Sequence, residues 1–380
     1  MRVLIFLFTL SLFISCAKKT SPSYTVESVS VDDEKNKWFM PQEKGWLAGD
    51  AAHSIQLDKN RILWIFGDTW PGSFIDEALI PDLLYVHNSI AIQYIATDGE
   101  SKFEFIFGDV EEGRSFFPQK SEMPGEYLWP TNGIILNNAL YIFCQAVSHD
   151  ETGWFGISGT VIIKVKNKDQ HPSKWEKEYF DFNTPAWTDK TPQVQYHSAL
   201  FKEENFIYFM GFKAYPGEGK KEAILARTDT LKFLETMNSN DLEHLKRVGD
   251  REEEWVKNLA EAKTIFEPGN TESNIQFIKD WGLYVTTTYS AIDNKLLLTY
   301  SNALAGPWSE PEIIYENPNI NCPDPGNKCI ETYAVRCHPE LSTSVGQIVI
   351  SYITSYTGEY KDAPIESYRP RFIKLQLSRQ

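Results

Sequence analysis

Asp50–Trp70 reads DAAHSIQLDKNRILWIFGDTW, and its two apolar-alternating runs, AHSIQL and ILWIFG, decide the fold. They flank the polar segment Asp58-Lys59-Asn60-Arg61, and a loop of that length between such runs predicts an antiparallel hairpin. Asp50 and Asp68 each lie about nine residues from its centre, so pairing brings both carboxylates to one end, opposite or diagonal to each other, with Cβ atoms roughly 4.5 to 8 Å apart. Two acids that close cannot ionise independently, and their pKa values separate as a paired general acid and base requires. A capping Asp at each loop would look the same in isolation, so the comparison with other hairpins decides.

Four further hairpins follow the first. Their starts are Asn132-Gly133-Ile134, His197-Ser198-Ala199, Ser273-Asn274-Ile275 and His338-Pro339-Glu340, and their second runs are LYIFCQAV, IYFMGFK, LYVTTTYS and IVISYITS. Recurrence at long period marks an array or a propeller. The spacing leaves room for four strands per unit, which predicts an all-β, five-bladed β-propeller with four-stranded blades rather than a two-domain β-sandwich. Asp250 to Ala262 is expected as a short inserted helix.

Aligning the units isolates what the first one has alone. At the position of Asp50 the others carry Trp129, Val194, Asn270 and Val335; at that of Asp68 they carry Gln145, Phe212, Thr288 and Ile353. Local breaks in a consistent pattern tend to mark function. Glu272 aligns with Ala52 and is expected on the face of Asp50. Trp46, Trp70, Trp129 and Trp154 lie near the same end, where flat rings could stack on sugars, and Asn132, Gln145, His197, Arg336 and His338 complete the candidate substrate contacts. His53, His197 and His338 also fit hydrogen-bonded structural positions between blades.

Composition narrows the partners. The 380 residues include 37 Lys and Arg against 52 Asp and Glu, a net charge of −15, which disfavours nucleic acid and suits a neutral glycan. Met1-Arg2, the apolar run Val3 to Ile14 and Ser15-Cys16 resemble a bacterial lipoprotein signal, with an ordinary secretory signal as the alternative. The expected layout is a signal over 1–15, lipidation at Cys16, a tether over 16–36 and one propeller over 37–380, anchored to a bacterial membrane at the periplasmic or cell surface as a monomer. Cys322 and Cys329 could pair in an oxidising compartment, whereas Cys144 and Cys337 read as buried thiols. No metal-type cysteine spacing occurs and no cofactor is required, though a cation in the channel is conceivable.

The segments GDAAHSIQL, LWIFGDTW, YLWPTNGIIL, GPWSEP, YAVRCHPEL and the terminal YRPRF resemble the five-bladed propeller family of D-arabinan-degrading glycoside hydrolases (glycoside hydrolase family 183), first catalogued as a domain of unknown function. The likeness spans nearly all of the mature chain. It implies an inverting hydrolase with Asp50 and Asp68 as catalytic acid and base, acting on an arabinofuranose-containing polysaccharide. More distant five-bladed arabinanases and xylosidases draw an Asp, a second Asp and a Glu from different blades. Here Asn132 stands where their second acid is expected and Tyr196-His197 occupies the third repeat, so that triad does not carry over. Because Asp68 follows the apolar LWIF run, it is expected as the acid and Asp50 as the base. A non-catalytic glycan-binding lipoprotein would keep the aromatic cleft without needing the acid pair, and a propeller serving protein assembly would expose large apolar patches.

Overall fold

The computed structural model describes residues 23–380 except 83, 97–98, 110–112, 186–191, 216–219, 249–252, 291–293, 319–329 and 357. The expected signal segment, the lipidation site Cys16, and Cys322 with Cys329 lie outside the described residues.

Strands dominate, and they form five larger antiparallel sheets among the described residues. The first contains His53–Asp58, Arg61–Phe66, Ser89–Ile95 and Ser101–Ile106. Its hairpin turns at Lys59-Asn60, with Asp58 paired to Arg61, two residues tighter than the expected loop. The second is built on Tyr127–Leu136 and Ala139–His149, the third on Gln193–Glu203 and Phe206–Ala214, the fourth on Ile275–Ile278 and Leu283–Ser290, and the fifth on Ile330–Cys337 and Gln347–Tyr356. Four of the five hairpins read from the sequence are the first two strands of a large sheet. In the fifth, the start read at His338-Pro339-Glu340 is instead a 3-10 turn over Pro339–Leu341, and the strand that pairs with Gln347–Tyr356 ends before it at Cys337.

Period-two alternation explains how the sheets stack. Arg61–Phe66 is buried on both faces: Leu63 and Ile65 enter the cluster shared with Ile142 and Val161 of the second sheet, while Ile62, Trp64 and Phe66 enter the one shared with Val349 and Phe372 of the fifth. Phe143 and Phe209 join the second sheet to the third, Met210 and Tyr284 the third to the fourth, and Val285 and Ile350 the fourth to the fifth. Each sheet therefore shares an apolar cluster with its neighbours, the fifth with the first included, in a propeller-like all-β arrangement.

Three features depart from expectation. Tyr24–Val31, read as part of a tether, pairs antiparallel with Arg371–Arg379 and completes the fifth sheet, with Tyr24 buried in its core. The third sheet has five strands, because Glu253–Val256 extends it where a helix was expected, and only a single 3-10 turn follows at Leu259–Glu261. A small sheet of Lys44–Gly49, Thr69–Ile75 and Ala78–Pro81 is an addition that the repeat pattern does not contain. Cys144 and Cys337 are buried free thiols, as expected, and burial pushes both thiol pKa values up.

Candidate active site

The small sheet creates the site. The chain leaves it at Gly49 and enters the first large sheet at His53; it leaves the large sheet at Phe66 and re-enters the small one at Thr69, opposite Gly49. Asp50 and Asp68 occupy the two crossings. The Asp50 N–H donates to the Asp68 carbonyl at 3.1 Å, and the Gly67 N–H donates to the Asp50 carbonyl at 3.2 Å.

Ala51 and Ala52 both adopt positive φ, 66° and 56°, and the Ala52 N–H closes a tight turn onto the Asp50 carbonyl at 2.8 Å. Left-handed backbone at a non-glycine residue costs on the order of 1 to 3 kcal/mol, so two in succession are held by their surroundings. The turn aims the Asp50 side chain across Gly67, where a Cβ would overlap Asp50 Oδ1.

Both carboxylates face a cavity of about 650 Å³ walled by residues of the second, third and fifth large sheets and by the segments that lead into and out of the first and into the fourth. Trp129 and Gln145 come from the second, Phe212 and Lys221 from the third, Glu272 from the approach to the fourth, and Tyr333 from the fifth. That size suits a small-molecule or sugar ligand.

The two acids have different surroundings. Burial raises the Asp50 pKa well above the ordinary carboxylate range, and the negative charges of Asp68 and Glu272 push it the same way. The Tyr333 hydroxyl, which donates to Asp50 Oδ2 at 3.1 Å, opposes them. Asp68 is held by donors: Trp129 Nε1 and His87 Nδ1 reach its Oδ1 at 2.9 and 3.0 Å. His87 lies flat on Tyr127, with ring centroids 3.7 Å apart. Lys221 stands 4.8 Å over the Phe212 ring; burial lowers its pKa while the Glu272 charge raises it.

Asp50, Asp68, Trp129, Gln145 and Glu272 therefore meet at one cavity, and the other expected contacts do not line it. Trp46 is fully buried, stacked 4.7 Å from Phe105 in an aromatic core. Trp70 packs at 4.7 Å on Tyr360 and belongs to a neighbouring cleft. Trp154 is exposed to solvent, while the adjacent Phe155 is at the cavity wall. Asn132 is buried, its amide donating to the Ser198 carbonyl at 2.9 Å to tie the second sheet to the third.

His197 is sealed between Thr131 Oγ1 and Thr160 Oγ1, at 2.5 and 3.1 Å, and burial lowers its pKa to about 3. His338 is likewise enclosed by Ser54 and Ser351, and burial lowers its pKa. Arg336 is fully buried and donates to the Thr131 carbonyl at 3.2 Å; burial brings its pKa down to about 10 against the opposing pull of Glu272 and Asp50. These three hold the sheets together beneath the site instead of touching its cavity. No group of three or more His, Cys, Asp or Glu arranged to hold a metal ion occurs among the described residues.

Tyr85, His87, Tyr127, Lys221 and Tyr333 are site residues that the sequence reading did not single out. The signal for Tyr333 was its place in the fifth inner strand, two residues ahead of the position aligned with Asp50.

The family model described as "Domain of unknown function (DUF5005)" matches residues 32–377. No curated protein matches the chain in sequence. Among solved structures, a provisionally assigned hydrolase from Bacteroides ovatus ATCC 8483 superposes with a TM-score of 0.68 at 19% identity, covering 91% of this chain and 90% of that one. The two share a fold. A family 117 glycoside hydrolase from Zobellia galactanivorans is a looser match, with a TM-score of 0.48 at 12% identity over 93% of this chain and 90% of that one.

Proposed function

Because the chain belongs to the DUF5005 family, whose description names no activity, we propose a function from the site: an inverting glycoside hydrolase acting on an arabinofuranose-containing polysaccharide. Its five large sheets serve as the blades of a five-bladed propeller. The observation that carries this reading is the placement of Asp50 and Asp68 at opposed crossings on one cavity wall, with burial and the neighbouring negative charges raising the pKa of Asp50 and with Trp129 donating to Asp68.

Inversion needs one carboxylic acid to protonate the leaving oxygen and one carboxylate to activate water. Asp50 is the acid in this scheme, since burial and two negative neighbours favour its protonated form. Asp68, gripped by Trp129 and His87, is the carboxylate that orients and deprotonates the water. This reverses the order expected from the sequence. The apolar run before Asp68 is real, but its side chains turn into the cores between sheets, and the crossing at Gly49 to Ala52 is what encloses Asp50.

The sugar class rests on the blade-one segments GDAAHSIQL and LWIFGDTW and on a cavity that mixes aromatic faces with hydrogen-bonding groups. Export with a lipid anchor at Cys16 would place the enzyme where such polymers occur. Defined arabinans digested with the protein, with product anomers followed by NMR from the first minutes, test the reading: inverted product and its loss in both Asp50→Asn and Asp68→Asn are expected. Retained activity in both variants, or release of the retained anomer, would overturn it.

A further inference from the structure

A second cavity of about 330 Å³ opens beside the first, with Trp70, Asp82, Tyr85, Glu359, Tyr360 and Lys361 in its wall. Tyr85 belongs to both walls and is 47% exposed. Its ring stacks on Trp70 at 5.7 Å and meets edge-on, at 5.2 Å, the His87 ring that holds Asp68. Tyr360 and Tyr368 pack on Trp70, each at 4.7 Å, which fixes the shelf. Asp82, Glu359 and Lys361 are exposed at its rim, two acids and one base, with no ion pair among the described residues.

Aromatic rings with mixed polar groups around them match the chemistry of a sugar, which offers a C–H face to a ring and hydroxyls to both donors and acceptors. A rim of mixed charge gives no reason to select an anion. Continuity through Tyr85 makes the two cavities one path of successive sites. We infer that the second cavity is a distal sugar subsite, so that one glycan chain runs from the Asp50–Asp68 pair over Tyr85 into the Trp70 cleft. The substrate is then a chain of several sugar units gripped along its length, rather than a terminal residue alone. This inference rests on the glycoside hydrolase reading above.

The test uses Glu359→Ala/Lys361→Ala, whose side chains are exposed and touch only the distal cavity, with a ladder of arabinan-derived oligosaccharides from disaccharide to hexasaccharide. Binding energy from remote sugars reaches the reacting centre, so the wild-type kcat/KM is expected to rise about tenfold or more along the ladder. In the double variant that rise shrinks severalfold while kcat/KM for the disaccharide is unchanged. Equal kcat/KM at every length in the wild type, or a loss of the same size at every length in the variant, would overturn the subsite and leave the hydrolase reading standing. A wild-type protein that cleaves none of the ladder would instead remove the hydrolase reading. The subsite is then judged by calorimetry of the same ladder on Asp50→Asn, where equal affinity for short and long chains overturns it.

Discussion

The backbone N–H of Asp50 donates to the carbonyl of Asp68 at 3.1 Å, which locks the two acids to each other before either side chain is considered. Their separation is set by backbone bonds between two short crossings, each anchored at both ends in a strand, and such anchoring holds a reacting pair better than a free loop does. Tyr333 from the fifth sheet and Trp129 from the second then hold one carboxylate each.

Asp50→Asn tests that arrangement in two ways. Removing the proton donor should lower turnover by about 100- to 10,000-fold, as loss of a general acid does. Stability should move the other way. The Asp50 pKa is raised in the folded state, so its contribution is fully present below the unfolded carboxylate range and is lost as pH rises through that range toward the folded value. The Asn variant escapes that loss. Its Tm should exceed the wild-type value at pH 7, by about 2 °C for each kcal/mol relieved in a chain of this size, and the gain should vanish near pH 4. Calorimetric melts of both proteins at the two pH values check this.

Gly67→Ala should uncouple activity from folding. The added Cβ would meet Asp50 Oδ1, the end of a side chain that can swing away, so the backbone has no reason to move. Displacement of a catalytic group by about 1 Å is enough for a loss near 100-fold in rate. A variant with wild-type Tm and turnover reduced on that scale is expected. Full activity would show that the Asp50 position is not critical.

The repeated inner hairpins were legible because middle strands buried on both faces write an unbroken apolar signature, as Arg61–Phe66 does. The proximity of Asp50 to Asp68 was legible from hairpin symmetry alone. What escaped were places where a bulge or a positive φ resets the alternation. The register shifts between Tyr333 and Arg336, and Ala334 has φ 51°, so Tyr333 reaches the cavity while Arg336, expected there, is buried. A shift between Trp46 and Ala48 accompanies the turn of Trp46 into the core. Another, between Val26 and Ser28, interrupts the pattern of Tyr24–Val31, which left a strand of the fifth sheet looking like a polar tether.

Trp129→Phe keeps an aromatic ring at the cavity wall, though a smaller one, and removes the Nε1 donor to Asp68. A hydrogen bond to a charged group is worth about 1.5 to 3 kcal/mol, so kcat/KM should fall roughly 10- to 100-fold on a short substrate. Tm should change little, because Asp68 faces a cavity where water can replace the lost donor. Steady-state kinetics with melts on the same preparation separate the two effects. A loss confined to stability would mean that Trp129 serves packing alone.

Acid sensitivity should trace to the histidines buried under the site. His197 has an ordinary pKa of 6.5 and a folded one lowered to about 3, so the unfolded chain binds a proton between those values that the folded chain refuses. The stabilisation from a neutral His197 is therefore complete above pH 6.5 and declines as pH falls toward 3. Between pH 6.5 and 5 this amounts to about 2 kcal/mol for one such group, at 1.36 kcal/mol for each pH unit. Loss of the bonds to Thr131 and Thr160 should make His197→Asn less stable than wild type at pH 7.5. On going to pH 5 the variant should lose about 2 kcal/mol less than wild type in urea unfolding. Parallel losses in the two proteins would mean that His197 takes up its proton in the folded state and that the fold opens around it.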